Sequence, residues 1–406
     1  MSEMPWSSVL SECMTHLRPQ GSELVPRRNA LGRLLLEPVA ADRDYPSGDL
    51  STMDGYAIAE HRQEAYRIVG ENSPGRGSGS PLEPGTARRI FTGAELPRDA
   101  SRVVPQELTS RLGDSLTITS YPAASFVRRK GSEAKKGAVT LEPGARIGPV
   151  EQAILATVGV TSVRVAVRPR VSHVVMGDEL TDPDSSSPGL LIRDSNSDLV
   201  KATLSRMGYD LGTQLRIGDE RGDAIRTVTD TAKACDLLLV SGGASVGDHD
   251  HARAALEAAG FQFRMHRVEL RPGKPVGIAG RENQWAIILP GNPVSHLVCL
   301  HLFVIPILRG LEGEKRIEPD FIEGILEEAP GLDVPGRATL WPARASVKSG
   351  SVHLMPHRFL SSGDLIGIAG VDALIFFPKG TAIPSPGAKV LFLPLNSGFW
   401  HRVQYE

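Results

Sequence analysis

Residues 237–250 read Leu-Leu-Leu-Val-Ser-Gly-Gly-Ala-Ser-Val-Gly-Asp-His-Asp, an apolar run that opens into a glycine-rich loop ending in carboxylates. Glycine lets backbone N–H groups close around an anion, while Asp248 and Asp250 offer hard oxygens to a cation. Such a loop suits a phosphorylated ligand handled with Mg2+. In Arg271-Pro-Gly-Lys-Pro275, Arg271 could grip an oxyanion as a fork and Lys274 as a point charge, an exposed basic turn being the plain alternative. Leu289-Pro-Gly-Asn-Pro-Val-Ser295 likewise brings a fixed turn and polar tips close after an apolar run. Glu179, in Gly177-Asp-Glu-Leu180, follows a further apolar run and taken alone reads as a helix cap or solvated acid. Taken with Asp248 and Asp250 it favours the reading of a cation site, because strand ends of one sheet converge.

Other segments are weaker by themselves. Asp54-Gly55, within Ser51–Ala57, favours a tight turn that presents a carboxylate, and Phe91-Thr-Gly-Ala94 exposes one hydroxyl, that of Thr92. His249 and His251 invite a zinc reading, but alternate loop positions point their rings apart and no third soft ligand is near in sequence, so surface histidines are favoured. The Gly75–Gly79 run lacks a following helix and reads as a flexible loop. Arg128-Arg-Lys130 reads as a solvated turn or as a hold on a polyanion.

The elements that must position these residues follow from periodicity. A strand over 170–175, a helix over 196–207, a strand near 210–215, a helix over 224–234, the strand 237–240, a helix over 252–259 and the strand 285–289 predict a mostly parallel sheet with helices on both faces. Ligands in such sheets sit beyond the strand C-termini. Residues 1–42 read as two helices, the second over 30–36. They are grouped with 132–168, which contains a helix over 149–158, as an elongated helical and mixed domain. Residues 43–131 read as a small β module, 169–312 as the α/β domain, and 313–406 as a C-terminal β-barrel-like domain.

With 406 residues the chain has length for several cores. Its 45 basic and 47 acidic residues give a net charge of -2, so there is no general attraction to nucleic acid or an anionic membrane, and neither is expected as a partner. Three scattered cysteines suggest neither a disulfide framework nor a thiolate metal centre, and a reducing cytoplasm is the expected home. Neither a signal peptide nor a membrane span is expected, the apolar stretch 297–308 being interrupted by His301 and Pro306.

Taken in order, the segments Ser51–Ala57, Phe91–Ala94 with Val103-Val104 and Glu107, Arg128–Gly131, Gly177–Leu180, Arg193–Asn196, Ser241–Asp250, Arg271–Pro275 and Leu289–Ser295 resemble the molybdopterin molybdenumtransferase family, the bacterial MoeA and gephyrin E-domain type. The resemblance implies four subdomains in an elongated homodimer whose third subdomain folds like molybdopterin-binding adenylyltransferases. Its cleft lies between that subdomain and the partner's β module, and residues 1–42 and 132–168 serve as the dimerisation scaffold. It implies an enzyme that inserts molybdate-derived metal into adenylylated molybdopterin with Mg2+ and releases AMP. Transient contact with the molybdopterin adenylyltransferase is a further implication.

By position the resemblance assigns Asp54, Thr92, Glu179, Asp250 and Lys274 to catalysis, and Glu179, Asp248 and Asp250 to the metal. Substrate contacts fall to Arg128, Asp219, Ser241, Gly242, Gly243, Ser245, Arg271, Pro290, Gly291, Asn292, Ser295, Arg337 and Ser362. On that basis the Gly242-Gly243 amides and Lys274 hold the pterin phosphate, while Arg271, Arg128 and Arg337 attract molybdate. Four departures stand out: Ser132-Glu133 for Glu-Asp, Val175-Met176 for Ser-Thr, Ser47-Gly48 for Pro-Phe, and His251 for an aromatic residue. They allow tungstate preference or a specialised paralogue. Competing readings are adenylylation of molybdopterin, against which the extra β modules speak, and a non-enzymatic binding or scaffolding protein, against which the retained acids speak.

Overall fold

The computed structural model describes residues 5–59, 63–77, 79–186, 189–242, 251–332, 334–395 and 404–405. They fall into two compact units, Leu24–Val165 and Met1–Glu23 with Ala166–Glu406.

The larger unit is built on a six-stranded sheet. Its order is Leu211–Ile217, Val171–Met176, Leu237–Ser241, Gln284–Leu289, Gly277–Arg281 and Gln262–His266. The first four strands are parallel and the last two antiparallel. Period-two burial on both faces explains why the central strands read as unbroken apolar runs. Leu237, Leu239, Ile287 and Leu289 face one core, with Val200 and Leu204 of the helix Ser195–Arg206. Leu238, Val240, Ala286 and Ile288 face the other, with Val228 of Arg221–Ala232 and Ala255 and Leu256 of His251–Ala258. The domain is therefore the three-layer α/β/α sandwich expected.

A closed five-stranded ring follows. Ala338–Lys348 pairs with Ser351–Pro356, which pairs with Ile322–Leu326, then Lys389–Pro394, then Ala373–Phe377, which returns to the first strand. Leu326, Ala343, Leu354, Ile375, Phe377 and Phe392 fill it. The short strand Leu270–Arg271 of the preceding domain pairs parallel with Ala338–Thr339 and so stitches the sandwich to the barrel.

The helical stretch Pro293–Glu312 is long and apolar enough to cross a membrane, but 83% of its most apolar window is buried inside the protein, as a core helix would be. Pro306 cannot donate to an α-helical ladder, and the turn before it, Leu300–Val304, is π-helical.

In the smaller unit, six strands order as Arg102–Pro105, Gly55–Ile58, Thr86–Ile90, Ala65–Asn72, Ser115–Ile118 and Thr109–Leu112. The helix Pro149–Thr157 starts with Pro149, the Glu151 carboxylate accepts the Gly148 N–H at 2.9 Å, and Gly159 takes a φ of +73° just past its end.

Two expectations differ from the structure. Residues 30–36 form no helix: a 3-10 turn covers Arg27–Asn29, Gly32 takes a φ of +74°, and Leu34 and Leu35 bridge to Arg146 and Val165. Residues 1–23 group with the α/β domain and not with 132–168, because Val9, Leu10 and Cys13 of the helix Trp6–His16 join the sandwich's core.

Candidate functional site

Val175, Ser241 and Leu289 stand side by side in parallel register, so the loops after these strands leave one edge of the sheet together. A cavity of about 1280 Å³ opens there. The sheet contributes Glu179, Ser241, Gly242, Arg271, Lys274, Pro290, Gly291, Asn292 and Ser295 to its lining. The barrel contributes Arg337, Trp341 and the loop from Phe359 to Ile366, which includes Ser362. The residues from Glu179 to Ser295 share one space because parallel strands carry their C-terminal loops to the same side, and the barrel residues Arg337 to Ile366 complete its wall.

Local geometry explains the glycines. Gly242 takes a φ of +81°, and a Cβ there would lie 2.1 Å from the Met176 carbonyl oxygen. Gly273 takes a φ of +118° with Cys299 Sγ and Leu270 closing the space beside it. This holds the Arg271–Pro275 turn, whose Arg271–Pro272 peptide is cis, against the core. The Pro290–Pro293 turn is clamped from both sides. Asn196 Nδ2 donates to the Gly291 carbonyl at 2.7 Å, Asn292 Nδ2 donates to Ser362 Oγ at 2.9 Å, and the Val294 N–H donates to the Ser362 carbonyl at 3.0 Å.

Behind Ser241 and Ser295 lie two buried histidines, His173 and His296. Burial pushes His173 down to about 3, helped by the neighbouring His296, and pushes His296 down to about 4. Both are neutral at physiological pH. Neither figured in the sequence reading, since a histidine within an apolar run carries no spacing signal. Trp341 and Phe359 were missed because their meeting across 18 residues leaves no local pattern.

Other expected residues lie elsewhere. Asp219 is not among the residues lining the cavity: its carboxylate accepts the Asp178 N–H at 3.4 Å and Asp178 Oδ1 accepts the Asp219 N–H at 3.2 Å. Asp54, Thr92 and Arg128 belong to the smaller unit. There Asp54 Oδ1 accepts the Thr92 N–H at 2.8 Å and its hydroxyl at 2.9 Å, which hold the Asp54 carboxyl below its ordinary value, aided by the charge of Arg89. Arg89 in turn sits 5.1 Å from the ring centres of Tyr56 and Phe91. Arg128 pairs with Glu133 at 2.9 Å, so the carboxylate of the departing Ser132-Glu133 pair faces this arginine. Gly243, Ser245, Asp248, His249 and Asp250 lie outside the described residues.

Among the described residues no three His, Cys, Asp or Glu side chains converge to hold a metal. The three cysteines are free and buried, and burial raises their thiols, Cys13 to about 12 and Cys235 to about 11. Thiols held that high stay protonated at physiological pH. In the cavity the carboxylate donor from the expected set is Glu179. Asp194 and Asp364 also line the cavity, but their carboxylates accept local hydrogen bonds, from Ser197 and from the Leu360 and Gly367 N–H groups. A carboxylate such as Glu179 beside an anion-suited space fits Mg2+, which keeps several waters and is commonly held by one or two carboxylates plus substrate phosphates.

Fold and cavity together define a multidomain α/β protein with a polar cavity, lined by both cationic and carboxylate side chains, at the carboxyl edge of its main sheet. A family model of the MoeA N-terminal region (domain I and II) matches residues 4–159, and one of a probable molybdopterin binding domain matches 172–310. The chain is 33% identical over 398 residues to a molybdopterin molybdenumtransferase of Nostoc sp., covering 93% of this chain and 89% of that one. A molybdopterin molybdenumtransferase of Staphylococcus epidermidis is 31% identical over 363 residues, covering 87% and 86%. The fold matches a molybdopterin biosynthesis moeA protein from Pyrococcus horikoshii with a TM-score of 0.81 at 23% identity, over 97% of this chain and all of the other. The chain belongs to the molybdopterin molybdenumtransferase family, and membership implies transferase activity in molybdenum cofactor biosynthesis.

Proposed function

We propose that this protein transfers molybdate-derived metal to adenylylated molybdopterin, with Mg2+-dependent release of AMP, and that the cavity described above holds the adenylylated substrate. The observation that carries the reading is the gathering of Glu179, Lys274, Arg271, Arg337 and the Ser241-Gly242 turn around one space. In this reading the Lys274 ammonium and the Gly242 amide bind phosphate oxygens, the first as a charge and the second as a fixed dipole that needs no reorganisation. Arg271 and Arg337 draw the molybdate oxyanion into the same space. Glu179 would hold Mg2+, and Asp248 and Asp250 would supply further oxygen ligands. The ion, when bound, neutralises charge that develops on the departing AMP phosphate.

Asp54, Thr92 and Arg128 act in the same reaction from the β module. The Thr92 hydrogen bonds keep Asp54 ionised and fixed in direction, as a group that orients a charged partner or accepts a proton must be. No described serine or cysteine in the cavity is activated by a base, which supports direct transfer without a covalent enzyme intermediate. We propose a homodimer in the cytoplasm, a compartment that suits three free cysteines.

The test is to incubate the purified protein with adenylylated molybdopterin and Mg2+, with and without molybdate, and follow AMP. Release that requires molybdate is expected. Consumption of ATP with free molybdopterin would assign adenylylation instead, binding without turnover would assign a scaffold, and turnover with tungstate alone would make the protein a tungsten insertase.

A further inference from the structure

The barrel's share of the cavity wall carries an aromatic pair to which the proposed transfer gives no role. Trp341, on the strand Ala338–Lys348, and Phe359, in the loop after the next strand, have ring centres 4.9 Å apart with planes tilted by 54°. Both are half-buried, packing partly against the protein while bordering the cavity. Their positions are fixed. Trp341 Nε1 donates to the His357 carbonyl at 2.9 Å, and the Phe359 loop is tied to the sandwich through Ser362, which bonds Asn292 and Val294. Leu360 and Ile366, 95% and 89% exposed, extend the apolar surface along the rim.

Aromatic rings bordering a cavity that also carries cationic side chains and the carboxylates of Glu179, Asp194 and Asp364 form an unusual combination. The Arg193, Arg271, Lys274 and Arg337 side chains ask for an anion. The rings ask for something flat and apolar-faced. We infer that Trp341 and Phe359 are a stacking platform for the flat nitrogen heterocycle of the phosphorylated substrate. Stacking on a fixed ring gives affinity and sets the plane of the bound base without hydrogen-bond readout. The cationic turns then hold the phosphate at a set distance from that ring. This inference rests on the reading of the cavity as the substrate site. The adenine and the pterin of adenylylated molybdopterin share the chemistry required.

Titration calorimetry of the full-length protein with AMP, ribose 5-phosphate and neopterin monophosphate tests it. Trp341→Leu is expected to weaken the heterocyclic ligand that uses the platform by about tenfold or more while leaving ribose 5-phosphate unchanged. Trp341→Phe, which keeps an aromatic face, should stay within about threefold of the wild type, and this second variant separates lost stacking from lost folding. Selective loss of AMP assigns the platform to adenine, and selective loss of neopterin monophosphate assigns it to the pterin. An equal loss of all three ligands in Trp341→Leu, or no loss of either heterocycle, would overturn the platform while leaving the cavity's phosphate role standing. If the wild type binds none of the three, both readings fall together.

Discussion

His173 Nε2 lies 2.6 Å from Ser241 Oγ in the buried floor of the sheet edge. Gln214 Nε2 lies 3.1 Å from Nδ1 of the same ring and also donates to the Ser197 carbonyl at 3.2 Å. An amide nitrogen can only donate, so Nδ1 accepts and Nε2 carries the proton, by assignment from the network. Ser241 therefore receives a hydrogen bond from a neutral histidine and is not activated by it. His173→Leu removes that donor beside a serine of the cavity lining. The variant should bind AMP about threefold to tenfold more weakly, and His173→Gln, which can still donate, should recover most of the loss in the same titration.

Acid sensitivity follows from the same histidines. His173 and His296 are pushed from 6.5 down to about 3 and about 4 by burial, and burial also lowers His301. Below pH 6.5 the unfolded chain takes up protons that the folded chain refuses. The contribution is therefore complete above pH 6.5 and is lost as pH falls towards the folded values. Urea denaturation at pH 7 and pH 5 should differ by roughly 2 kcal/mol for each of His173 and His296, and His173→Gln should remove its share. A stability independent of pH over that interval would contradict the burial of neutral rings.

Gly242 has no room for a side chain. With a φ of +81° and the Met176 carbonyl oxygen 2.1 Å from a would-be Cβ, Gly242→Ala combines a strained backbone with a clash against main chain. A loss of roughly 2–4 kcal/mol in denaturant stability, or a displaced loop with AMP binding abolished, is expected. Wild-type stability and binding together would show that the turn adapts without cost.

Lys274, in the Arg271–Pro275 turn, lines the cavity. Lys274→Ala should weaken AMP by about tenfold to a hundredfold, from loss of a charge-assisted hydrogen bond, and flatten the dependence of binding on salt. Lys274→Arg should restore only part, since a planar fork does not replace a compact ammonium. Unaltered binding in the alanine variant would remove Lys274 from the phosphate site.

Asp54→Asn keeps the shape beside Thr92 but removes the charge. AMP release should fall by about a hundredfold or more, with the melting temperature little changed because the amide of Asn fills the same half-buried place and its oxygen can still accept from Thr92. Turnover within a few fold of the wild type would restrict Asp54 to a turn.

What the sequence made legible is the part governed by local rules. The apolar runs ending at Met176, Ser241 and Leu289 are strands because they are buried on both faces, and the polar turns after them share a cavity because parallel strands end on one side. The parts that stayed hidden depend on contacts distant in sequence. Leu34 and Leu35 look helical until they bridge to Arg146 and Val165, more than a hundred residues on. Trp341 is one residue in a β run, and nothing in that run shows that Phe359 and a cavity meet it. Asp219, an acid at a position matched only by resemblance, accepts the Asp178 N–H and is not among the residues lining the cavity, which no local pattern in the sequence shows.

The central claim is that one cavity at the sheet's carboxyl edge holds the adenylylated substrate, and a crystal structure of the protein soaked with AMP and Mg2+ tests it most directly. The account predicts AMP in that cavity, its phosphate against Lys274 and the Ser241-Gly242 turn, with Glu179 on the ion. AMP bound on any other surface, with the cavity holding only solvent, would contradict it.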